Sequence, residues 1–359
     1  KVEAYFKLST DNDVDYTKQV GDDQTIATSD RNQGYKYVYV TKSQLNSGGK
    51  NYIADNEGKT LEITVKVFDK AGNSIAYTKS ASKLIVDTTA PTAKTIGAIT
   101  TVGGNVVSDY WNSTNESVNV IVNLDAASDV TLSNGEIVLQ ASSNNGGNWI
   151  DLRQLVSGAE SDTLDIGTAS ATKTIIVDTS YSTNGKYGID NFPVAISSTL
   201  SDNSKIYFRA AVLDVAGNKT LWPQSTAFLT AKQTLPAISM VTSYKDDKAY
   251  KENDILRILV VALSNNTLGV TEKLYVTGSK PILTLETGTN DALVSEVTRA
   301  TEDDTLWFDY TVAAGHTSSD LSTTSLTVGA GSKVLDAYGN PLNPAIPGSD
   351  NAKSLIKKK

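Results

Sequence analysis

No cysteine occurs anywhere in the 359 residues, which excludes disulfides, thiolate metal sites and cysteine nucleophiles together. Histidine is almost as scarce: His316 is the only one, so any Ser-His device would have to be built on it. Positive charge is also short. The 32 Lys and Arg against 40 Asp and Glu leave a net charge of −8, which speaks against nucleic acid as a partner, since phosphate recognition needs a basic face. The one basic run, Lys357-Lys358-Lys359, closes the sequence and reads as a frayed tail. No apolar stretch approaches the ~20 residues of a membrane helix. Starting at Lys1 with neither Met nor signal peptide, the sequence reads as a mature protein or a piece excised from a longer one.

What is present points to strands. Thr, Val, Ile and Tyr fall in short runs separated by Gly, Asn, Asp and Ser, and no long stretch carries apolar residues at helical spacing. The fold class is therefore all-β, and the length calls for two to four domains. Three segments repeat one pattern: Val65-Lys66-Val67-Phe68-Asp69-Lys70-Ala71-Gly72-Asn73, Ala210-Ala211-Val212-Leu213-Asp214-Val215-Ala216-Gly217-Asn218 and Ser332-Lys333-Val334-Leu335-Asp336-Ala337-Tyr338-Gly339-Asn340. Each is a strand running into Asp-x-(Ala/Tyr)-Gly-Asn, where Gly accepts positive φ and the Asp and Asn side chains bond back to nearby backbone. Ahead of the first two turns, Leu61, Ile63, Val65 and Val67, and likewise Ile206, Phe208, Ala210 and Val212, alternate with other residues and define one core-facing side. Pro91 follows Asp69 by 22 residues, and Pro236 follows Asp214 by the same 22. Equal spacing implies the same last strand ended by the same proline. The boundaries fall at 1–90, 91–235 and 236–350, with 351–359 as a tail or linker, and short proline-bearing junctions make a semi-rigid rod. The middle unit is longest, its extra length falling in loops such as Ser142-Ser143-Asn144-Asn145-Gly146-Gly147 and residues 180–188.

The hairpin with its following strand, Leu84-Ile85-Val86-Asp87-Thr88-Thr89-Ala90-Pro91-Thr92 after the first copy and Gln233-Thr234-Leu235-Pro236 after the second, resembles the bacterial immunoglobulin-like repeats of large cell-surface proteins. S-layer proteins and giant adhesins are among these. In the third unit, Ala249-Tyr250-Lys251-Glu252-Asn253-Asp254-Ile255-Leu256, the stretches around Val276 to Leu285 and Trp307 to Gly315, Ser318-Ser319-Asp320-Leu321 and the last hairpin follow a related repeat in order. The resemblance implies tandem immunoglobulin-like (Greek-key) β-sandwich domains, exported to the cell surface of a bacterium or archaeon. The missing cysteines suit such a source.

Candidate chemistry is sparse. His316 lies in a polar turn, Ala314-Gly315-His316-Thr317, and reads as a solvated loop histidine rather than a base. No spacing marks a carboxylate pair, so the chain is not expected to be an enzyme. Calcium is the cofactor the acidic residues suggest. Asp11, Asp13 and Asp15 alternate as a hard cation's ligands do, with Asp22 at the place of a closing ligand, although Tyr16 takes the position a helix-loop calcium hand reserves for Gly. Asp69, Asp214 and Asp336 either cap their turns or, with Asp87 and Asp320, hold calcium at domain edges. In Thr305-Leu306-Trp307-Phe308-Asp309-Tyr310-Thr311-Val312 the even positions share the core face, which leaves Trp307 for a ligand or an interface; Trp111, Trp149 and Trp222 fill cores or cover sandwich ends. Sequons stand at Asn112, Asn115, Asn218 and Asn265.

Two functions follow. One is a structural segment of a surface layer, sheath or stalk that self-associates or contacts other surface-protein domains. The other is an adhesin module that binds a glycan or host protein through the loops of the middle domain or the Trp307 face.

Overall fold

The computed structural model describes residues 1–8, 19–47, 51–125, 128–156, 159–161, 164–168, 170–179, 182–183, 186–193, 200–245, 248–263, 273–297, 304–318, 320–348 and 354–357. Within them the regular structure is nearly all strand, in sheets that are antiparallel except where Leu229–Lys232 pairs in parallel with Tyr110–Asn112. The exceptions are the helices Thr28–Gln33 and Lys42–Leu45 and a 3₁₀ turn at Val130–Leu132. No described helix is long and apolar enough to cross a membrane.

Buried apolar side chains gather in three separate clusters, the cores of three modules. The first holds Phe6, Leu45, Tyr52, Leu61 and Val86 among others, the second runs from Ile96 to Leu229, and the third from Ile238 to Leu342. The accessible surface, 19060 Å², exceeds the roughly 14,000 Å² expected of one compact 38.2 kDa protein. Three small cores expose more surface than one large one.

The second module is the most complete sandwich. One sheet orders 159–161, Gln154–Val156, Thr172–Asp178, Ser117–Asn123 and Ile96–Val102. The other orders Leu164–Asp165, Glu136–Ser142, Lys205–Leu213, Leu229–Lys232 and Tyr110–Asn112, with Lys219–Leu221 as the hairpin return of Lys205–Leu213. Period-2 patterning aims Val118, Val120, Val122, Ile175 and Val177 from one sheet at Ile137, Leu139, Phe208 and Val212 from the other, all buried to within 1%. Trp111 and Trp222 are buried with them, and Trp149 sits half-buried beneath Arg209.

In the first module Val2–Leu8 pairs with Thr60–Phe68, which also pairs with Ser74–Ala76 and Leu84–Ile85. Its alternation is less one-sided than expected. Leu61 is fully buried and Ile63 packs on the core, yet Glu62 and Thr64 on the opposite face are buried too. Lys79 (2.7 Å) and Lys7 (3.6 Å) neutralise Glu62, and the Thr64 hydroxyl donates to the Tyr77 carbonyl. In the third module Ala237–Ser243, Ile255–Leu263 and Thr305–Thr311 form one sheet, and Ala292–Ser295, Ile282–Glu286 and Asp320–Thr327 another. The 351–359 stretch, expected as a tail, contributes Ser354–Lys357 as an edge strand on Asp320–Thr327. An open edge offers unpaired N–H and C=O groups to any extended segment nearby; Lys358 and Lys359 lie outside the described residues.

Candidate functional site: the hairpin joints

The three Asp-x-(Ala/Tyr)-Gly-Asn turns adopt one geometry. In each, the Asp carboxylate accepts from the Asn main-chain N–H through Oδ1 and from the Asn Nδ2 through Oδ2: 2.9 and 2.9 Å for Asp69–Asn73, 2.8 and 2.9 Å for Asp214–Asn218, 2.8 and 3.0 Å for Asp336–Asn340. The Gly takes φ of 91°, 86° and 88°, which an L side chain adopts only under strain. One carboxylate therefore freezes a five-residue turn and holds the Asn carboxamide rigid, with one Nδ2 proton and Oδ1 aimed outward.

What meets that carboxamide differs. Asn340 Nδ2 donates to the Lys232 carbonyl (2.9 Å), and its Oδ1 accepts from the Ser113 N–H (2.9 Å) and hydroxyl (2.8 Å), so the third module grips the second. Asn112 Nδ2 donates to the Tyr338 carbonyl (2.8 Å), and Asn105 Nδ2 to the Gly339 carbonyl (3.1 Å). Tyr110 and Tyr338 rings lie 4.9 Å apart, with the Lys232 ammonium 4.5 Å from the Tyr338 centroid. A Cβ on Gly339 would lie 2.6 Å from the Asn105 carbonyl oxygen, so close approach as well as φ requires glycine there. At the other joint Asn218 Nδ2 donates to the Asp87 carbonyl (3.1 Å) and to Asp87 Oδ1 (3.2 Å). Asn73, by contrast, is exposed.

Burial sets two of the turns apart. Asn73 holds the exposed Asp69 carboxyl below its ordinary range. The same bonds surround Asp336, but desolvation outweighs them and pushes its carboxyl up. Asp87 is raised as well, first by burial and then by the nearby charge of Asp214. Its Oδ2 is buried with no hydrogen-bond partner, while Glu57 binds the adjoining Thr88 N–H and hydroxyl, both at 2.6 Å.

The acidic residues singled out from the sequence do not converge. Asp11, Asp13 and Asp15 lie outside the described residues. Asp22 is exposed, and Asp320 opens the Asp320–Thr327 strand on the surface. Asp69, Asp214 and Asp336 spend both oxygens on their own turns. Only Asp87 and Asp214 come together, and two carboxylates fall short of the six to eight oxygens calcium takes. Among the described residues no group of three or more His, Asp or Glu is placed to hold a metal ion.

Trp307 is half-buried, and its ring carries the Arg257 guanidinium at 4.7 Å; Arg257 is in turn bonded to Asp309 at 2.6 and 2.7 Å. One face of the indole is thus taken by the protein itself. His316 shares a hydrogen bond of 2.8 Å between its Nδ1 and the Tyr310 hydroxyl, and the neighbouring Ser318 hydroxyl donates to Glu286. Histidine and serine are committed to different partners, not to each other. Asn112 and Asn115 are buried and hydrogen-bonded in the fold, and Asn218 lies in a joint, so three of the four sequons are structural asparagines. Asn265 lies outside the described residues.

The joint role of Asn105, Asn112, Ser113, Asn218 and Asn340 was not read from the sequence, which marked Asn112 only as a sequon and Asn218 and Asn340 as turn or sequon asparagines. A signal existed for two of them, since asparagine ends all three copies of the turn.

No protein-family model matches the chain, and no curated protein matches it. Among solved structures, one from work on host cell surface retention of a 1.5-MDa bacterial ice-binding adhesin is similar at 14% identity over 86% of this chain and 77% of that one, with a TM-score of 0.33. The FN1-FN3 domains of chicken CNTN1 are similar at 8% identity over 99% and 88%, with a TM-score of 0.23.

Proposed function

We propose that the chain is a structural segment of an extracellular surface assembly: a stalk, sheath or layer component in which sandwich modules are joined stiffly end to end. The observation that carries this reading is the reuse of one rigid turn at both joints, where Asn218 and Asn340 each bond the module before them. A device repeated at every joint sets the angle between modules, which matters to a protein whose task is length and direction. The fold itself assigns no chemistry.

Negative-stain imaging at rising protein concentration, with calcium and then with chelator, tests it. Stiff rods that assemble laterally into sheets or filaments support the reading. Modules that swivel freely at residues 87–91 and 232–236 defeat it. Among the described residues calcium enters only at the Asp87–Asp214 contact, where a cation would relieve two converging carboxylates; rods that soften in chelator, and no longer do so in Asp87→Asn, locate it there, and stiffness unchanged by chelator removes calcium from the proposal. The adhesive alternative would use the loops of the middle module or the Trp307 face; at Trp307 one side of the indole is already taken by Arg257.

A further inference from the structure

The first and second modules correspond strand for strand over their later parts. Adding 145 to each number turns the pairs Leu61↔Leu84 and Val67↔Ile75 into Ile206↔Leu229 and Val212↔Thr220. On the other side of the long strand, Val2–Leu8 occupies the place of Glu136–Ser142, with Val67↔Val2 matching Val212↔Ile137. The next neighbours match as well: Val2↔Gln24 and Tyr5↔Gln19 repeat Ile137↔Leu164 and Gln140↔Asp151.

Of the strands of the second module that have no counterpart, three lie ahead of Glu136 in the chain: Ile96–Val102, Tyr110–Asn112 and Ser117–Asn123. Their positions are marked in the first module by open edges. In the second, Thr172–Asp178 is paired along its whole length with Ser117–Asn123. In the first, residues 35–40 belong to no helix or strand but alternate as a strand would, Val38 and Val40 packed on the core and Tyr35, Tyr37 and Tyr39 outward at 54, 65 and 74% exposure. No main-chain group of these residues bonds to another main-chain group among the described residues. Only Tyr39 is satisfied: Gln24 Nε2 donates to its carbonyl (2.9 Å) and Gln24 Oε1 accepts from its N–H (3.4 Å), a side-chain amide standing in for a neighbouring strand. The second open edge is Leu84–Ile85. Its equivalent, Leu229–Lys232, pairs in parallel with Tyr110–Asn112, and there Leu229 is 1% exposed. Leu84 and Ile85, without that neighbour, are 44 and 64% exposed.

We infer that the first module is a strand-accepting partial sandwich, completed by a segment joined ahead of Lys1. That segment lays one extended strand antiparallel to residues 35–40 and a second parallel to Leu84–Ile85. The accepted strand alternates polar and β-branched apolar residues, as Ser-Val-Asn-Val-Ile-Val-Asn of Ser117–Asn123 does. One of its faces must meet Val38 and Val40 over the core, and main-chain pairing supplies the rest of the affinity.

The test duplicates the protein's own residues 91–135 directly ahead of Lys1 of the full chain, since Lys1 stands beside Phe68 as Glu136 stands beside Leu213. Hydrogen exchange at the amides of residues 35–40 is then compared with the unextended chain. Slowing by about tenfold or more is expected. Tyr37→Pro, which removes a main-chain donor, cancels it, whereas Tyr37→Ala, which removes only the ring, keeps it. Should the extension fold poorly, a synthetic peptide of residues 115–125 in excess gives a second reading: protection of the same amides supports the inference. Exchange unchanged by both extension and peptide overturns it. Protection that rises in the unextended chain with its own concentration also overturns it, by making a second copy the occupant.

Discussion

Asp336 and Asn340 show how much one pair of side chains settles. The aspartate fixes the carboxamide, and the carboxamide reaches Lys232 and Ser113 of another module. Asn340→Ala takes the side-chain donor from Oδ2 of the buried Asp336 carboxylate, leaves Oδ1 its main-chain donors, and strips three inter-module bonds; a loss of about 1–3 kcal/mol is expected, read as a lower denaturant midpoint with the fold retained. Glycine at the turns gives a graded comparison. Gly72→Ala meets open space, so backbone strain alone applies, about 1–2 kcal/mol. Gly339→Ala adds a collision with Asn105 and Asn112 and is expected to cost more, with lost stiffness at the second joint visible in small-angle scattering. Asp87 supplies a pH signature. Burial and Asp214 raise its carboxyl above the ordinary value, so its contribution to stability is full below the unfolded-state value and is lost as pH rises through the folded one. The first module should therefore melt higher just below its raised range than above it, and Asp87→Asn should flatten that slope. At this scale the turn was legible in the sequence, since Asp, Gly and Asn each have one reason to stand there. The grip was not, because Asn218 to Asp87 and Asn340 to Lys232 span 131 and 108 residues of chain.

Among the elements, legibility followed how cleanly one face was buried. Ile206, Phe208, Ala210 and Val212 are all fully buried, as their alternation implied. The Thr60–Phe68 strand read the same way, but the polar Glu62 and Thr64 are buried too, because Lys7, Lys79 and the Tyr77 carbonyl satisfy them from neighbouring segments that no periodicity describes. The helices Thr28–Gln33 and Lys42–Leu45 left no apolar periodicity to read, since six and four residues bury a single side chain between them, Leu45. Phe208→Ala, a large cavity in the middle of a sandwich, is expected to cost about 3–5 kcal/mol. Because the second core is separate from the other two, the loss should shift one unfolding transition and leave the others in place, which calorimetry resolves.

For the molecule as a whole the two joints are unequal. Between the first and second modules the turn contributes Asn218 alone, whereas between the second and third, Asn105, Asn112, Ser113 and Asn340 interlock around Gly339. What bending there is should concentrate near residues 87–91, and particle images sorted by angle would show a narrow distribution at both joints, the first somewhat wider than the second. The interlocked joint is built mostly of carboxamides, a hydroxyl and main-chain groups. Dissolved ions screen charges over a Debye length but leave such neutral pairs almost untouched. Tension along the chain runs through the covalent link at Pro236, so these bonds act as braces against flexure rather than as a tether. A strut of this kind keeps its angle in brine and in fresh water alike.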